Sequence, residues 1–172
     1  MLKIIGALLV AVAFFWASHQ ICRDYRSHIT IWRAFYDSLL LMRSEIIYMQ
    51  TPLPEVMRYL GEKGPPQLQE VFAQAKCRME EDCTAEFGEI WKQTVAKADV
   101  FIGFTEEETE FIEAAGNYLG QADSQIAKER LLFCLKETEK QITGQEKKIA
   151  EKQKVARALS ALAAGLVILV FI

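Results

Sequence analysis

Residues 45–56 read "EIIYMQTPLPEV", and this stretch decides how the chain turns back on itself. It follows a long run in which apolar residues recur at spacings of three and four, the period of an amphipathic helix. A proline disfavours helical geometry in the residue before it, so this helix is predicted to end near Gln50 or Thr51. Thr51 is also a suitable N-cap, and Pro52 suits the first position of a new helix. The stretch therefore predicts a sharp, rigid corner between two helices.

Apolar faces with a helical period continue on both sides of the corner, and no segment shows the alternation of a strand. Before the corner, the apolar stripe comprises Trp32, Phe35, Leu39, Met42, Ile46 and Met49. After it, four further helical faces comprise Leu53, Val56, Met57 and Leu60; Leu68, Val71, Phe72, Ala75 and Met79; Phe87, Ile90, Trp91, Val95 and Ala98; and Phe111, Ile112, Ala115 and Leu119. A sixth helix is predicted from about Asp123 to the C-terminus, with Leu131, Leu135, Ile142 and Ile149 on its apolar face. The predicted fold is an all-α antiparallel bundle of about six helices, flanked by two transmembrane helices.

Several helix boundaries carry their own signals. Thr84 is predicted to cap the fourth helix. Thr105, with Glu108 three residues later, predicts a capping box at the start of the fifth helix. The sequence "GNYLG" at 116–120 is predicted to end that helix. These signals place the turns between the predicted helices.

Both ends of the chain are strongly apolar. From Ile4 to Cys22 there are 19 uncharged residues, and a helix of that length spans about 28 Å, close to the thickness of the hydrocarbon core of a bilayer. From Ala158 to Ile172 there are 15 uncharged residues, which give about 23 Å, short for a span. The alternatives are a cleaved signal peptide at the N-terminus and a buried terminal helix at the C-terminus.

Basic residues flank the two apolar ends on their inner sides. Eight lie there, against Lys3 alone on the outer side: Arg23, Arg26, Arg33, Lys147, Lys148, Lys152, Lys154 and Arg157. The positive-inside rule therefore predicts that the middle of the chain is cytoplasmic. The predicted organisation is a transmembrane helix at 1–22, a cytoplasmic helical bundle at 23–154 and a transmembrane helix at 155–172.

Composition argues against several classes of function. The chain has 20 Lys and Arg against 23 Asp and Glu, a net charge of −3, which leaves no basic footprint for nucleic acid. The four cysteines form no C-x-x-C pair, and the two histidines are isolated, so no metal site is predicted. No nucleophile–base set or phosphate-binding glycine loop is present. The sequence predicts no catalytic residues, no cofactor and no enzymatic activity.

A run of carboxylates is the strongest candidate for contact with a partner. The sequence "TEEETEFIE" at 105–113 contains Glu106, Glu107, Glu108, Glu110 and Glu113. Such a run is either a solvated helix start, favoured by the helix dipole, or a docking patch for a basic surface. The predicted partner-binding residues are Glu106, Glu107, Glu110 and Glu113, together with Tyr48 and Glu55 at the corner. The alternative for Tyr48 is a structural polar group with Glu45 and Thr51.

The chain resembles the stage III sporulation protein AB family. The resemblance rests on "EIIYMQTPLPEV" at 45–56, on Trp91, on "GNYLGQAD" at 116–123 with Gln125, and on the basic stretch before the apolar C-terminus. It covers nearly the whole chain. The family is related to the cytoplasmic domains of the type II secretion inner-membrane platform protein F.

The resemblance implies a function that composition does not show. It implies a non-enzymatic platform in a secretion-like channel complex between mother cell and forespore, in the mother-cell membrane facing the forespore. The implied partners are a secretion-type ATPase, stage III sporulation protein AA, other proteins of the same complex and membrane lipid. A homo-oligomer is left open. The alternative is a two-span membrane sensor or adaptor whose helical domain binds a ligand.

Overall fold

The computed structural model describes residues 27–82, 84–119 and 124–171. Helix α1 occupies 27–43 of these and continues into a π-helical turn at Ser44–Tyr48. The later elements are α2 (Leu53–Lys63), α3 (Gln69–Glu81), α4 (Phe87–Lys97), a 3-10 turn (Asp99–Phe101), α5 (Glu106–Leu119) and α6 (Ser124–Phe171). No strand occurs over these ranges. The prediction of an all-α fold with about six helices is confirmed.

The described residues divide into two units. Thr30–Gln141 forms one unit, which contains α2 to α5 whole, most of α1 and the first part of α6. Residues 27–29 and 142–171 belong to the other unit. The domain boundaries predicted after residues 22 and 154 rest on the apolar ends of the sequence, and they remain predictions.

The two predicted membrane spans lie at the margins of the described residues. The N-terminal one, residues 1–22, falls outside them, and α6 continues through the C-terminal one as far as Phe171. None of the helices formed by the described residues is both long enough and apolar enough to cross a membrane.

Successive helices of the Thr30–Gln141 unit pack against one another. Helix α2 packs on α3, α3 on α4, and α4 on α5. The start of α4 meets the end of α5, because Gly88 lies against Asn117 and Trp91 lies against Gly116. These two helices therefore run antiparallel, as the short connections between helices predict.

The core of this unit consists of the predicted apolar faces. Trp32 lies near the rings of Phe35, Phe104 and Phe111, with centroids 5.6–6.3 Å apart. In a second aromatic group, the ring of Trp91 stacks with the rings of Phe72 and Phe87, with centroids 5.6 Å and 6.1 Å apart. Most of the remaining predicted core residues are buried: Leu39, Met42, Val56, Met57, Leu60, Leu68, Val71, Ala75, Ile90, Val95, Ile112, Ala115, Leu119, Leu131 and Leu135.

The predicted boundary signals have different outcomes. The capping box at the start of α5 is confirmed, because the Thr105 amide donates to Glu108 Oε2 at 2.9 Å and the Glu108 amide donates to Thr105 Oγ1 at 3.3 Å. The prediction that Thr84 caps α4 is wrong. Its hydroxyl donates to Asp82 Oδ1 at 2.7 Å, and α4 begins at Phe87 with Glu86 as its N-cap.

Candidate functional site

The corner at 44–55 departs from regular helix geometry before it reaches the prolines. The Met49 amide donates to the Ser44 carbonyl at 3.2 Å, five residues back, which is a π-helical bond. The Thr51 amide then donates to the Glu45 carbonyl at 3.0 Å. Between them Gln50 has a φ of 54°, the left-handed region that usually favours glycine. The first helix thus ends near Gln50, as predicted, but through a strained turn.

The side chain of Thr51 faces back towards α1 instead of forward to α2. Its hydroxyl donates to Glu45 Oε2 at 2.8 Å, and no side chain makes a capping bond to the start of α2. Pro52 is the N-cap of α2, Leu53 is the first helical residue, and Pro54 lies in the first turn. The predictions of Thr51 as N-cap and of Pro52 as first helical residue are therefore wrong by one position. Both prolines are compatible with these positions at the start of α2, since the first amides of a helix need no intrahelical acceptor.

The π-helical turn changes which side chains reach the surface. Tyr48 is 68% exposed and Met49 is 70% exposed. The prediction that Met49 continues the buried stripe is wrong, because a π-turn adds a residue and rotates the following side chains off the helical face. The corner thus presents two large side chains to solvent next to each other.

Glu55, the other candidate at the corner, is already engaged. Its carboxylate lies 3.4 Å from the guanidinium of Arg58, and Glu62 accepts from the same group at 3.2 Å. Hydrogen bonds from Arg58 to Glu55 and Glu62 raise the pKa of Arg58. All three side chains are at least half exposed, so these pairs contribute little to stability. At the corner, Tyr48 and Met49 are therefore the side chains available to a partner, and the charge of Glu55 is partly neutralised by Arg58.

The candidate carboxylates on α5 do not form one cluster. Glu106, Glu110 and Glu113 follow the spacing i, i+4, i+7 along one helix face, and we call these three residues the acidic stripe. Glu107 is also exposed but lies about 100° around the helix from Glu106. Glu108 is only 7% exposed, because it belongs to the capping box. Within the described ranges, no carboxylate of the stripe lies in an ion pair.

Helices α4 and α5 cross tightly, a feature that was not predicted from the sequence. Trp91 Nε1 donates to the Ile112 carbonyl at 2.7 Å in the interior. A Cβ atom added to Gly116 would lie 2.5–2.7 Å from three atoms of Trp91, so only glycine admits the indole there. A Cβ on Gly88 would likewise overlap the amide of Asn117. The available signal was the glycine of "GN" at 116–117, since a glycine inside a helix can mark the close approach of another element.

The described residues contain no group of three or more side chains suited to hold a metal ion. Among the cysteines, Cys77 is exposed and Cys134 is buried, both as free thiols. Burial raises the pKa of the Cys134 thiol to about 11, a shift that Arg130 partly opposes. Cys134 is therefore protonated and unreactive near neutral pH, since the thiolate is the nucleophile.

These features define an all-helical bundle protein with an aromatic core, a strained corner and an acidic helix face. The chain belongs to the stage III sporulation protein AB family, whose sequence pattern it matches over residues 3–172. It is 22% identical over 169 residues to stage III sporulation protein AB from Bacillus subtilis (strain 168), and the match covers 98% of each chain. No solved structure matches it. The predicted family is confirmed, and membership supports a role in sporulation.

Proposed function

We propose that this protein is a non-enzymatic membrane platform in a sporulation-specific, secretion-like channel between mother cell and forespore. In this proposal it couples a cytosolic secretion-type ATPase, stage III sporulation protein AA, to membrane partners. The ATPase is proposed as the partner because the family resemblance implies it. Membership of the family supports the sporulation part of the proposal.

The acidic stripe is the observation that carries the coupling. Its residues lie on the face of α5 opposite the buried Ile112 and Ala115. Glu106 and Glu110 are exposed and Glu113 is half-buried, so the first two carboxylates are the most available to another molecule. Glu55, by contrast, shares its charge with Arg58. A row of carboxylates on a rigid helix suits a basic partner surface, where complementary charge raises the association rate and sets the orientation.

Coupling requires that the ATPase distinguish two arrangements of its partner. A ligand shifts a conformational equilibrium only through a difference in its affinity for the two states. In the proposal, the nucleotide states of the ATPase bind the acidic stripe with different affinity, and the bundle transmits that difference to the membrane partners.

Membrane attachment is a further part of the proposal, and it rests on the sequence. The uncharged ends of the chain and the basic residues beside them favour two anchors with the bundle on the cytoplasmic side. A detergent requirement for extracting the full chain from sporulating cells supports this arrangement. Full recovery in the detergent-free supernatant would contradict it.

The coupling is tested by removing the charge of the acidic stripe. The triple variant with Gln at 106, 110 and 113 is compared with a control in which Glu70, Glu80 and Glu81 of α3 become Gln, the same change in net charge on another exposed surface. Binding of the detergent-solubilised full chain to purified ATPase is measured by calorimetry at low and high salt. The stripe variant is expected to bind about tenfold more weakly, a loss of about 1.4 kcal/mol.

The control and the salt dependence make this result specific. The α3 control is expected to bind like the wild type, and high salt is expected to reduce the difference between wild type and stripe variant. Equal binding by all three proteins, or no binding of the ATPase by the wild type, would remove the coupling from the proposal.

The orientation is tested with the exposed thiol of Cys77, in a variant in which Cys22 and Cys83 are serine. A membrane-impermeant maleimide at pH 7.5 is expected to label Cys77 only after cells are permeabilised. The buried Cys134 is the internal control and is expected to react only in denaturant, or as the pH rises towards its pKa of about 11. Labelling of Cys77 in intact cells would favour the sensor with its helical domain outside.

A further inference from the structure

The sequence and the structure of the segment before the corner specify different helical registers. The apolar stripe continues at helical spacing from Met42 through Ile46 to Met49, so a regular α-helix would bury Met49 in line with Met42. The structure instead forms the π-turn Ser44–Tyr48 and leaves Met49 exposed. We propose that residues 44–51 form a two-state register switch, in which the π-helical turn exposes Tyr48 and Met49 and an α-helical turn withdraws Met49 into the stripe.

The π-helical state carries a local strain. Gln50 has a side chain in a left-handed conformation, which costs free energy that glycine would not lose. Its turn also leaves a large apolar side chain in water at Met49. Both costs disappear if the segment winds as a regular helix, so the π-helical state needs compensating contacts.

Two hydrogen bonds from one residue supply that compensation. Thr51 donates its amide to the Glu45 carbonyl at 3.0 Å and its hydroxyl to Glu45 Oε2 at 2.8 Å. Both close the same loop across the π-turn, and we call this pair of bonds the Glu45–Thr51 latch. An α-helical turn through Met49 changes the path of the chain between these two residues and breaks the latch. The two states are therefore mutually exclusive.

Because of its position, the switch is expected to change the direction of the chain as well as the exposure of two side chains. It lies directly before Pro52 and Pro54, whose fixed φ angles make the start of α2 rigid. A change of register at 44–49 consequently alters the direction in which the chain enters α2, in addition to the exposure of Tyr48 and Met49. The switch is independent of the proposed ATPase, since it involves only residues 44–51 of this chain.

Oxidation of methionine measures the switch directly. The full chain is treated with hydrogen peroxide, and the rate of sulfoxide formation at each methionine is followed by mass spectrometry. Met42 and Met57 are fully buried and serve as internal controls for global unfolding. In the Thr51→Val variant, which lacks the hydroxyl of the latch, Met49 is expected to oxidise about threefold or more slowly because the population shifts to the buried register.

A pair of substitutions at position 50 tests the strain without touching the latch side chains. Gln50→Val disfavours the left-handed conformation, since valine is β-branched, and is expected to slow Met49 oxidation. Gln50→Gly removes the strain and is expected to keep Met49 oxidation at or above the wild-type rate. Equal Met49 rates in wild type, Thr51→Val and Gln50→Val, with Met42 and Met57 protected, would overturn the switch. Faster Met49 oxidation in Gln50→Val would also overturn it.

Discussion

The corner at 44–55 and the crossing of α4 with α5 each contain part of the sequence on which the family resemblance rests. At the crossing, Gly116 and Trp91 have a packing reason: Gly116 admits Trp91, whose indole donates to the Ile112 carbonyl. At the corner, the most conspicuous side chains pack against little. Tyr48 is 68% exposed and Met49 is 70% exposed.

This difference separates two kinds of motif that look alike in the sequence. A glycine and a tryptophan in the core are explained once their contacts are known, and they need no partner. The exposed side chains of Tyr48 and Met49 lie on a strained turn, and packing within the fold does not explain why large residues occupy these positions. The crossing therefore accounts for stability, and the corner is where a test of function is most informative.

The largest expected effect is at the crossing. Gly116→Ala places a Cβ atom within 2.5–2.7 Å of Trp91, and such overpacking is expected to lower the free energy of unfolding by about 1–3 kcal/mol. Gly144→Ala is the matched control, because nothing lies within 4 Å of the added atom, and it is expected to stabilise the helix by about 0.5–1 kcal/mol. Urea unfolding followed by circular dichroism measures both. Equal behaviour of the two variants would mean that the crossing is not tight.

A second prediction compares Trp91 and Trp32, which are the two buried tryptophans among the described residues. Trp91→Phe loses the 2.7 Å hydrogen bond to Ile112 and is expected to cost about 1–2 kcal/mol. Trp32→Phe is the control, since Trp32 Nε1 is buried with no hydrogen-bond partner among the described residues, and its expected cost is below about 1 kcal/mol. The same unfolding experiment ranks the two variants. A larger loss for Trp32→Phe would show that the hydrogen bond at the crossing contributes little.

The smallest expected effect on stability is at the corner. Tyr48→Ala and Met49→Ala together are expected to change the free energy of unfolding by no more than about 0.5 kcal/mol, as for other exposed positions. The same double variant is expected to lower spore yield when it replaces the wild-type gene in a spore-forming host. Heat-resistant colony counts, with protein levels checked by immunoblot, measure this. Normal spore yield with normal stability would mean that the exposed pair has no role in sporulation.

Features encoded by many residues could be predicted from the sequence, whereas features encoded by one residue could not. Repeated apolar spacing placed the helices and most of the core, because many residues contribute to each face and single errors average out. The capping box of Thr105 and Glu108 could be predicted for a different reason: both partners lie within one helical turn, so their bonds are local. The signals read from one residue, Thr84 and Thr51, were wrong because each hydroxyl found a different acceptor, Asp82 or Glu45.

The candidate site was only partly predictable. The carboxylates of α5 could be named from the sequence, and the predicted capping box already set Glu108 apart from the others. That Glu106 and Glu110 are exposed while Glu113 is half-buried required the structure, since it depends on how α5 packs against its neighbours. The pairing of Glu55 with Arg58 follows an i, i+3 spacing that can be read from the sequence.

By itself, the amino-acid sequence determined the all-helical class, the corner and the family, because helical period, proline and family pattern are local or additive properties of the chain. Only the tertiary structure decided that Met49 faces solvent, that Gly116 leaves the space occupied by Trp91, and that Gln50 adopts a left-handed conformation at the corner. Each of these depends on atoms brought together from different turns or helices. The energies of these tertiary contacts oppose the local conformational preferences of the chain. Which of the two prevails depends on packing between segments that are distant in the sequence.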